Sequence, residues 1–219
     1  MMRYQSVPWV SRSASDHSVT VVVNWLFVMA ALVAVMVVIG GITRLTESGL
    51  SMVEWRPLIG ALPPLSAAEW ERVYQLYRAS PEYQQLNYGM TLAEFKTIFF
   101  WEYFHRLWGR LIGVAFALPL MMFALAGRVP TGFGLRLVIL LVLGGLQGVI
   151  GWWMVKSGLQ NDPYVSPYRL TFHLSNAITI YALLLWTSIE YFHLKSINII
   201  NVKSKKFLIL ISIILVFIT

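Results

Sequence analysis

The sequence predicts an all-α fold: a polytopic membrane protein built as a four-helix transmembrane bundle, with a partial fifth helix and a long outer loop that contains short helices. Three observations carry this. Hydrophobic residues fill 58% of the 219 positions and charged residues 12%, and mean hydropathy is +0.66, far from the averages of soluble domains. Four apolar runs reach the roughly 20 residues that a bilayer core requires. The basic residues behind the net charge of +7 sit at the ends of those runs rather than in a stripe interleaved with exposed aromatics, so they read as topology and no nucleic-acid partner is expected.

Residues 1–18 form an inner N-terminal tail. They carry Arg3 and Arg12 but neither an apolar core nor an amphipathic Arg/Ser pattern, so the first span, 19–43, is expected to be an uncleaved anchor. The other spans are 98–126, 135–154 and 170–191, which makes 19–191 one four-helix unit. Beyond it, 192–219 is a Lys/Ile/Asn-rich tail whose last apolar segment starts at Phe207 and is too short to cross alone.

Orientation follows from the basic residues of the short connections. Arg128 and Arg136 after the second span, and Lys195, Lys203, Lys205 and Lys206 after the fourth, mark the inner side. The loop 44–97 mixes five basic with six acidic residues, and the third connection has only Lys156, Asp162 and Arg169. Both are expected outside.

The outer loop carries two capping-box patterns, Ser66 with Glu69 and Thr91 with Glu94, each of which opens a helix. The second helix is expected to run into the second span. Trp25, Trp55, Trp101, Trp108, Trp152, Trp153 and Trp186 lie mostly near span ends, the pattern of an interfacial belt.

The chemistry concentrates in the stretch FFWEYFHRLWGR at 99–110. On a helix, Glu102, His105, Arg106, Gly109 and Gly113 share one face, and ionisable groups within a membrane turn toward the bundle interior. Gly109, one turn below His105, leaves room for a flat ring. The alternative is that the glycines serve helix packing and Glu102 pairs with Arg106 at i,i+4.

A second interior histidine, His173, lies about as far into the fourth span as His105 lies into the second. Two imidazoles at equal depth on helices that start from the same side suit axial ligation of a haem iron, with His105 and His173 as the metal ligands. Cysteine is absent, which removes thiolate sites. A di-iron carboxylate site requires a second Glu-x-x-His and two further inward glutamates, whereas the other three spans contain no carboxylate until Glu190 at the inner end of the fourth. Arg44, Arg106, Arg110 and Arg169 stand where haem propionates would want cations. His17 and His193 fall toward the inner side, where solvation is expected.

Several motifs, GGITRLTESGLS at 40–51, MTLAEFK at 90–96, EYFHRLWGR at 102–110 and LQGVIGWWMVKSG at 146–158, closely resemble the haem A synthase family in its alphaproteobacterial and mitochondrial branch. The resemblance runs from about Trp25 to Ser188. It implies an integral membrane oxidoreductase of the bacterial or mitochondrial inner membrane. That enzyme converts the C8 methyl group of haem O to a formyl group with water as oxygen source, giving haem A for cytochrome c oxidase assembly. It also implies that His105 and His173 frame the substrate haem and that Glu102 is the catalytic acid/base candidate.

Members of that family have eight spans in two similar halves, the second of which holds a haem b cofactor. This chain corresponds to the N-terminal half, so no haem b ligands are expected in it. A second chain supplying the other half, a homo-oligomer, or an inactive half-protein would each account for that. The implied partners are membrane lipid, haem O and haem O synthase. Two further readings stand beside the enzyme: a non-catalytic membrane haem-binding or assembly protein, and a bis-His b-type cytochrome that passes single electrons.

Overall fold

The computed structural model describes residues 16–55, 59–129, 132–160 and 162–195. Residues 1–15 and the tail from 196, with the expected fifth segment, lie outside the described residues, as do the side chains of His17 and His193. The helices are α1 (Asp16–Leu45), α2 (Ala67–Arg78), α3 (Pro81–Gln85), α4 (Leu92–Leu125), α5 (Gly134–Gly158) and α6 (Pro167–Lys195), with a 3-10 turn at Ile59–Ala61. No strand occurs among the described residues. Four of the helices, α1, α4, α5 and α6, are long and apolar enough to cross a membrane. The chain is an integral membrane protein of all-α class.

Neighbouring spans run antiparallel, and cross-helix pairs give the register. Along α1 and α4, Trp25 Nε1 donates to Ala115 O at 2.9 Å and Trp108 Nε1 donates to Leu32 O at 3.1 Å. Nearer the loop, the Thr43 hydroxyl reaches Trp101 O at 3.4 Å. Two indoles of the expected interfacial belt therefore rivet the α1–α4 seam, because an indole N–H among apolar helices needs an acceptor. Along α5 and α6, Arg136 pairs with Glu190 at 2.7 Å at one end and Arg169 donates to Trp153 O at 2.8 Å at the other. Helix α1 packs against α4 and α6, α5 packs against α6, and a sparser α4–α5 contact closes the ring. The two histidine-bearing helices, α4 and α6, thus stand diagonally across the bundle.

The apolar core fills the half of the bundle away from the long loop: Val22, Leu26 and Met29 of α1, Phe116 and Phe123 of α4, Leu137 of α5, and Leu184 of α6 are buried together. The loop half differs. There the helices bring together glycines, two histidines and amide side chains, and Cβ atoms added at Gly41, Gly113 or Gly148 would meet nothing within 4 Å.

The outer loop folds on its own aromatic core of Tyr77, Tyr83, Phe95 and Phe99. The Thr91/Glu94 capping box forms in full and opens α4, which continues unbroken into the span, as expected. At Ser66 half of the expected box forms. Its hydroxyl accepts from Glu69 N–H at 3.1 Å, but the Glu69 carboxylate is taken by Arg72, at 3.0 Å and 2.7 Å to its two oxygens. A bidentate guanidinium outcompetes a single backbone donor. Helix α3 had no counterpart in the sequence reading. Ser80 caps it by accepting from Tyr83 N–H at 3.3 Å, and Pro81 stands at its first turn.

Candidate functional site

The site is built first by how α1 ends. Glu47 adopts the left-handed conformation with φ 51°, Ser48 N–H bonds Thr43 O at 2.9 Å and Glu47 N–H bonds Arg44 O at 3.1 Å. These are the two bonds of a Schellman turn. The chain is thereby reversed onto α4, where Glu102 Oε2 accepts the Ser51 hydroxyl at 2.7 Å and Met52 N–H at 2.5 Å. Arg106 donates to Glu102 Oε1, to Met52 O at 3.0 Å and to Glu54 O at 3.4 Å, and its guanidinium lies 5.3 Å from the Trp55 ring centroid. Glu102 is 3% exposed. The i,i+4 pair expected from the sequence is present, and it clamps the loop onto the bundle.

The two histidines face into the loop half from diagonal helices. A Cβ added at Gly40 of α1 would stand 3.2 Å from His105 Nε2, and one added at Gly151 of α5 would stand 3.0 Å from His173 Cε1. Each ring therefore lies against a glycine of the neighbouring span, where an added Cβ would be tighter than most such contacts. Gly40 is five residues before Leu45, the loop end of α1, and Gly151 is seven residues before Gly158, the loop end of α5. At 1.5 Å per residue these are about 8 Å and about 10 Å deep. The histidines are thus at similar depth.

His173 has a polar neighbour on α5. Gln147 Nε2 donates to His173 O at 3.0 Å and lies 3.3 Å from His173 Nε2, while Asn176 Nδ2 donates to Gln147 Oε1 at 2.7 Å. His173 Nδ1 is buried, with no hydrogen-bond partner among the described residues. Gln147, Asn176, Gly40 and Gly151 were missed as site residues in the sequence. The available signal was an amide one turn before a glycine in an apolar run, since such side chains seldom face lipid.

Arg106 is committed to the clamp, Arg169 stacks on Trp153 at 4.6 Å as it caps the end of α5, and Arg44 is exposed at the end of α1. Arg106 and Arg110 border a cleft of about 390 Å³ beneath the loop, together with Met52, Pro63, Arg72 and Phe99. The open side of Gly109 is met by Met36 of α1, whose Cε would lie 3.3 Å from an added Cβ. No group of three or more His, Cys, Asp or Glu side chains that could hold a metal stands together among the described residues.

Fold and site together define a membrane-spanning helical bundle with two imidazoles toward its loop end, each packed against a glycine of the neighbouring span. The family model described as "Cytochrome oxidase assembly protein" matches residues 23–219, and the chain belongs to that family. The match extends through the tail beyond Ser188, where the sequence resemblance had been placed to end. The chain is 54% identical over 166 residues to a "Heme A synthase" of Nitrosospira multiformis, covering 76% of this chain and 47% of that protein. It is 51% identical over 177 residues to one of Parvibaculum lavamentivorans, covering 81% and 52%, and 57% identical over 162 residues to one of Agrobacterium fabrum, covering 74% and 44%. The chain spans about half the length of the curated relatives it matches. No solved structure matches it.

Proposed function

We propose that this chain is the substrate-haem half of a haem A synthase-type oxidoreductase. The observation that carries the reading is the pair of imidazoles on diagonal helices, at similar depth and each against a glycine, in a chain about half identical to proteins named Heme A synthase. The residues fit a haem. Gly40 and Gly151 keep Cβ atoms away from both rings, and His173 has a buried ring nitrogen without a partner. His105 and His173 would hold the iron from two sides.

The reaction takes the C8 methyl of haem O and one water to a formyl group, releasing four protons and four electrons. Within it, this chain binds and orients the substrate, excludes water from the apolar half and supplies a proton acceptor. Glu102 is the proposed acceptor. Ser51, Met52 and Arg106 occupy its oxygens, so it takes a proton when one of these donors withdraws, with Ser51 the lightest of the three. Arg44, Arg106, Arg110 and Arg169 are the proposed cations for the propionates, Arg106 and Arg169 also holding backbone carbonyls. The family resemblance implies a haem b in a second four-helix unit, which would accept the electrons. The outer loop faces outward and the N-terminus inward, in a bacterial or mitochondrial inner membrane, where haem O synthase would deliver the substrate.

A non-catalytic haem-binding or assembly role is favoured by one observation, the complete engagement of Glu102 in the clamp. Expressing the chain with haem O, then analysing the extracted haem by mass, separates the readings. Hydroxylated or formyl haem supports the enzyme. Unchanged bound haem supports the assembly role, or a b-type cytochrome where the haem also cycles reversibly between redox states. A preparation without haem, made under haem-replete conditions, overturns all three.

A further inference from the structure

The contacts around Gln147 decide more than packing. A side-chain amide has a donor end and an acceptor end that are told apart by their partners. Here a backbone carbonyl, His173 O, can only accept, so the end of Gln147 that faces it is the –NH₂, at 3.0 Å. The carbonyl end turns to Asn176 Nδ2, at 2.7 Å. With both ends committed, the second amide hydrogen is presented to His173 Nε2 at 3.3 Å. A nitrogen facing a donor must offer a lone pair. The His173 proton then resides on Nδ1, the atom that is buried without a partner.

From the other side, Gly151 lies one turn after Gln147 on α5 and leaves the ring its place. Helix α5 thus offers a receptor for one imidazole, with a glycine floor and an amide that selects the tautomer. We infer that Gln147 is the positioning residue for His173: it holds the ring with the proton on Nδ1 and the Nε2 lone pair available to a metal. The metal displaces only the weaker of the two amide contacts, the one at 3.3 Å, while the bond to His173 O keeps Gln147 in place. Partners in such a position fix the tautomer of a ligating histidine and commonly change metal affinity ten- to a hundred-fold. This rests on the reading that His173 ligates haem, but the tautomer itself can be read without haem.

The test uses the full chain in lipid nanodiscs, labelled with ¹⁵N-histidine, with the His173 signals assigned by their loss in His173→Gln. The expected spectrum without haem shows His173 neutral and protonated on Nδ1. In Gln147→Leu that preference is lost, and titration with ferric protoporphyrin shows affinity lowered about ten- to a hundred-fold. The electron-paramagnetic-resonance g-values of the bound haem also change, because they report imidazole orientation. Asn176→Leu, which frees the amide to rotate without emptying its place, moves the same observables in the same direction by less. A wild-type His173 protonated on Nε2 overturns the inference, as does a Gln147→Leu protein with unchanged tautomer, affinity and g-values. The expected tautomer in a wild-type chain that binds no haem sinks the haem reading and leaves the tautomer assignment standing.

Discussion

Gly151 of α5 and His173 of α6 are packed so closely that a Cβ at position 151 would stand 3.0 Å from His173 Cε1, and Gly40 of α1 bears the same relation to His105 Nε2 at 3.2 Å. Alanine in a helix interior is intrinsically favoured over glycine by about 1 kcal/mol, so local propensity alone makes either substitution stabilising. The rings oppose that. Each must give by a few tenths of an ångström, and Gly151→Ala, the tighter case, should displace His173 more than Gly40→Ala displaces His105. Haem titration of the two variants should show affinity lowered about ten-fold or more, the effect usual for a disturbed ligand orientation. Gly144→Ala, where an added Cβ meets nothing within 4 Å, should bind haem as the unaltered chain does. Equal affinity in all three would remove the glycines from the site.

Glu102 should prove to have two separable roles. Its carboxylate and the Arg106 guanidinium are 3% and 10% exposed, and removing one member of a buried pair strands the other at a cost of about 3–5 kcal/mol. Glu102→Ala should therefore loosen residues 48–55, seen as faster amide exchange there, while the distant core half stays protected and haem still binds. Glu102→Gln can still accept from Ser51 and should keep most of that protection, yet it should abolish formyl product if the carboxylate is the proton acceptor. Wild-type turnover in Glu102→Gln would assign Glu102 to the clamp alone.

The spans were legible because hydropathy needs no tertiary information: a run long and apolar enough to cross a bilayer has few other places to go. The continuity of α4 was legible from Thr91 and Glu94, whose bonds are local. Failures arose where a third residue competes for the same atoms. Arg72 takes the Glu69 carboxylate from its own helix start. Helix α3 announced itself in Ser80-Pro81, a cap followed by a residue suited to the first turn. Gln147 was the least legible. Its role depends on which atoms of α6 it meets, and a single amide in an apolar run does not specify that.

Trp108 and Trp25 join α4 to α1 through indole N–H donors to Leu32 O and Ala115 O. Such bonds in membranes average about 0.6 kcal/mol and reach about 1.7 kcal/mol. Trp108→Phe and Trp25→Phe should each lower stability by that order in a denaturing-detergent titration. The double variant should approach their sum, since the two bonds lie well apart along the seam. Trp152→Phe, at an exposed position, should change the midpoint less than either. A larger effect at Trp152 would favour the interfacial-anchor account of these indoles.

Glu82 predicts a pH dependence confined to the outer loop. It is 4% exposed beside Tyr77, and its Oε2 has no hydrogen-bond partner among the described residues. Burial raises its pKa from 4.5 to about 7; the Tyr77 hydroxyl opposes the shift, and the charges of Glu102 and Glu47 add to it. The folded pKa lies above the unfolded one, so the neutral acid is the form that the fold accepts. Its contribution is complete below about 4.5 and is lost as pH rises through about 7, amounting to an order of 3 kcal/mol. Amide exchange of residues 77–90, corrected for the intrinsic rate at each pH, should therefore show protection falling between pH 5 and 8, on the scale set by this shift. In Glu82→Gln, which is neutral throughout, that slope should vanish and protection at pH 8 should exceed that of the unaltered chain. An identical slope in Glu82→Gln would move the titration to another group.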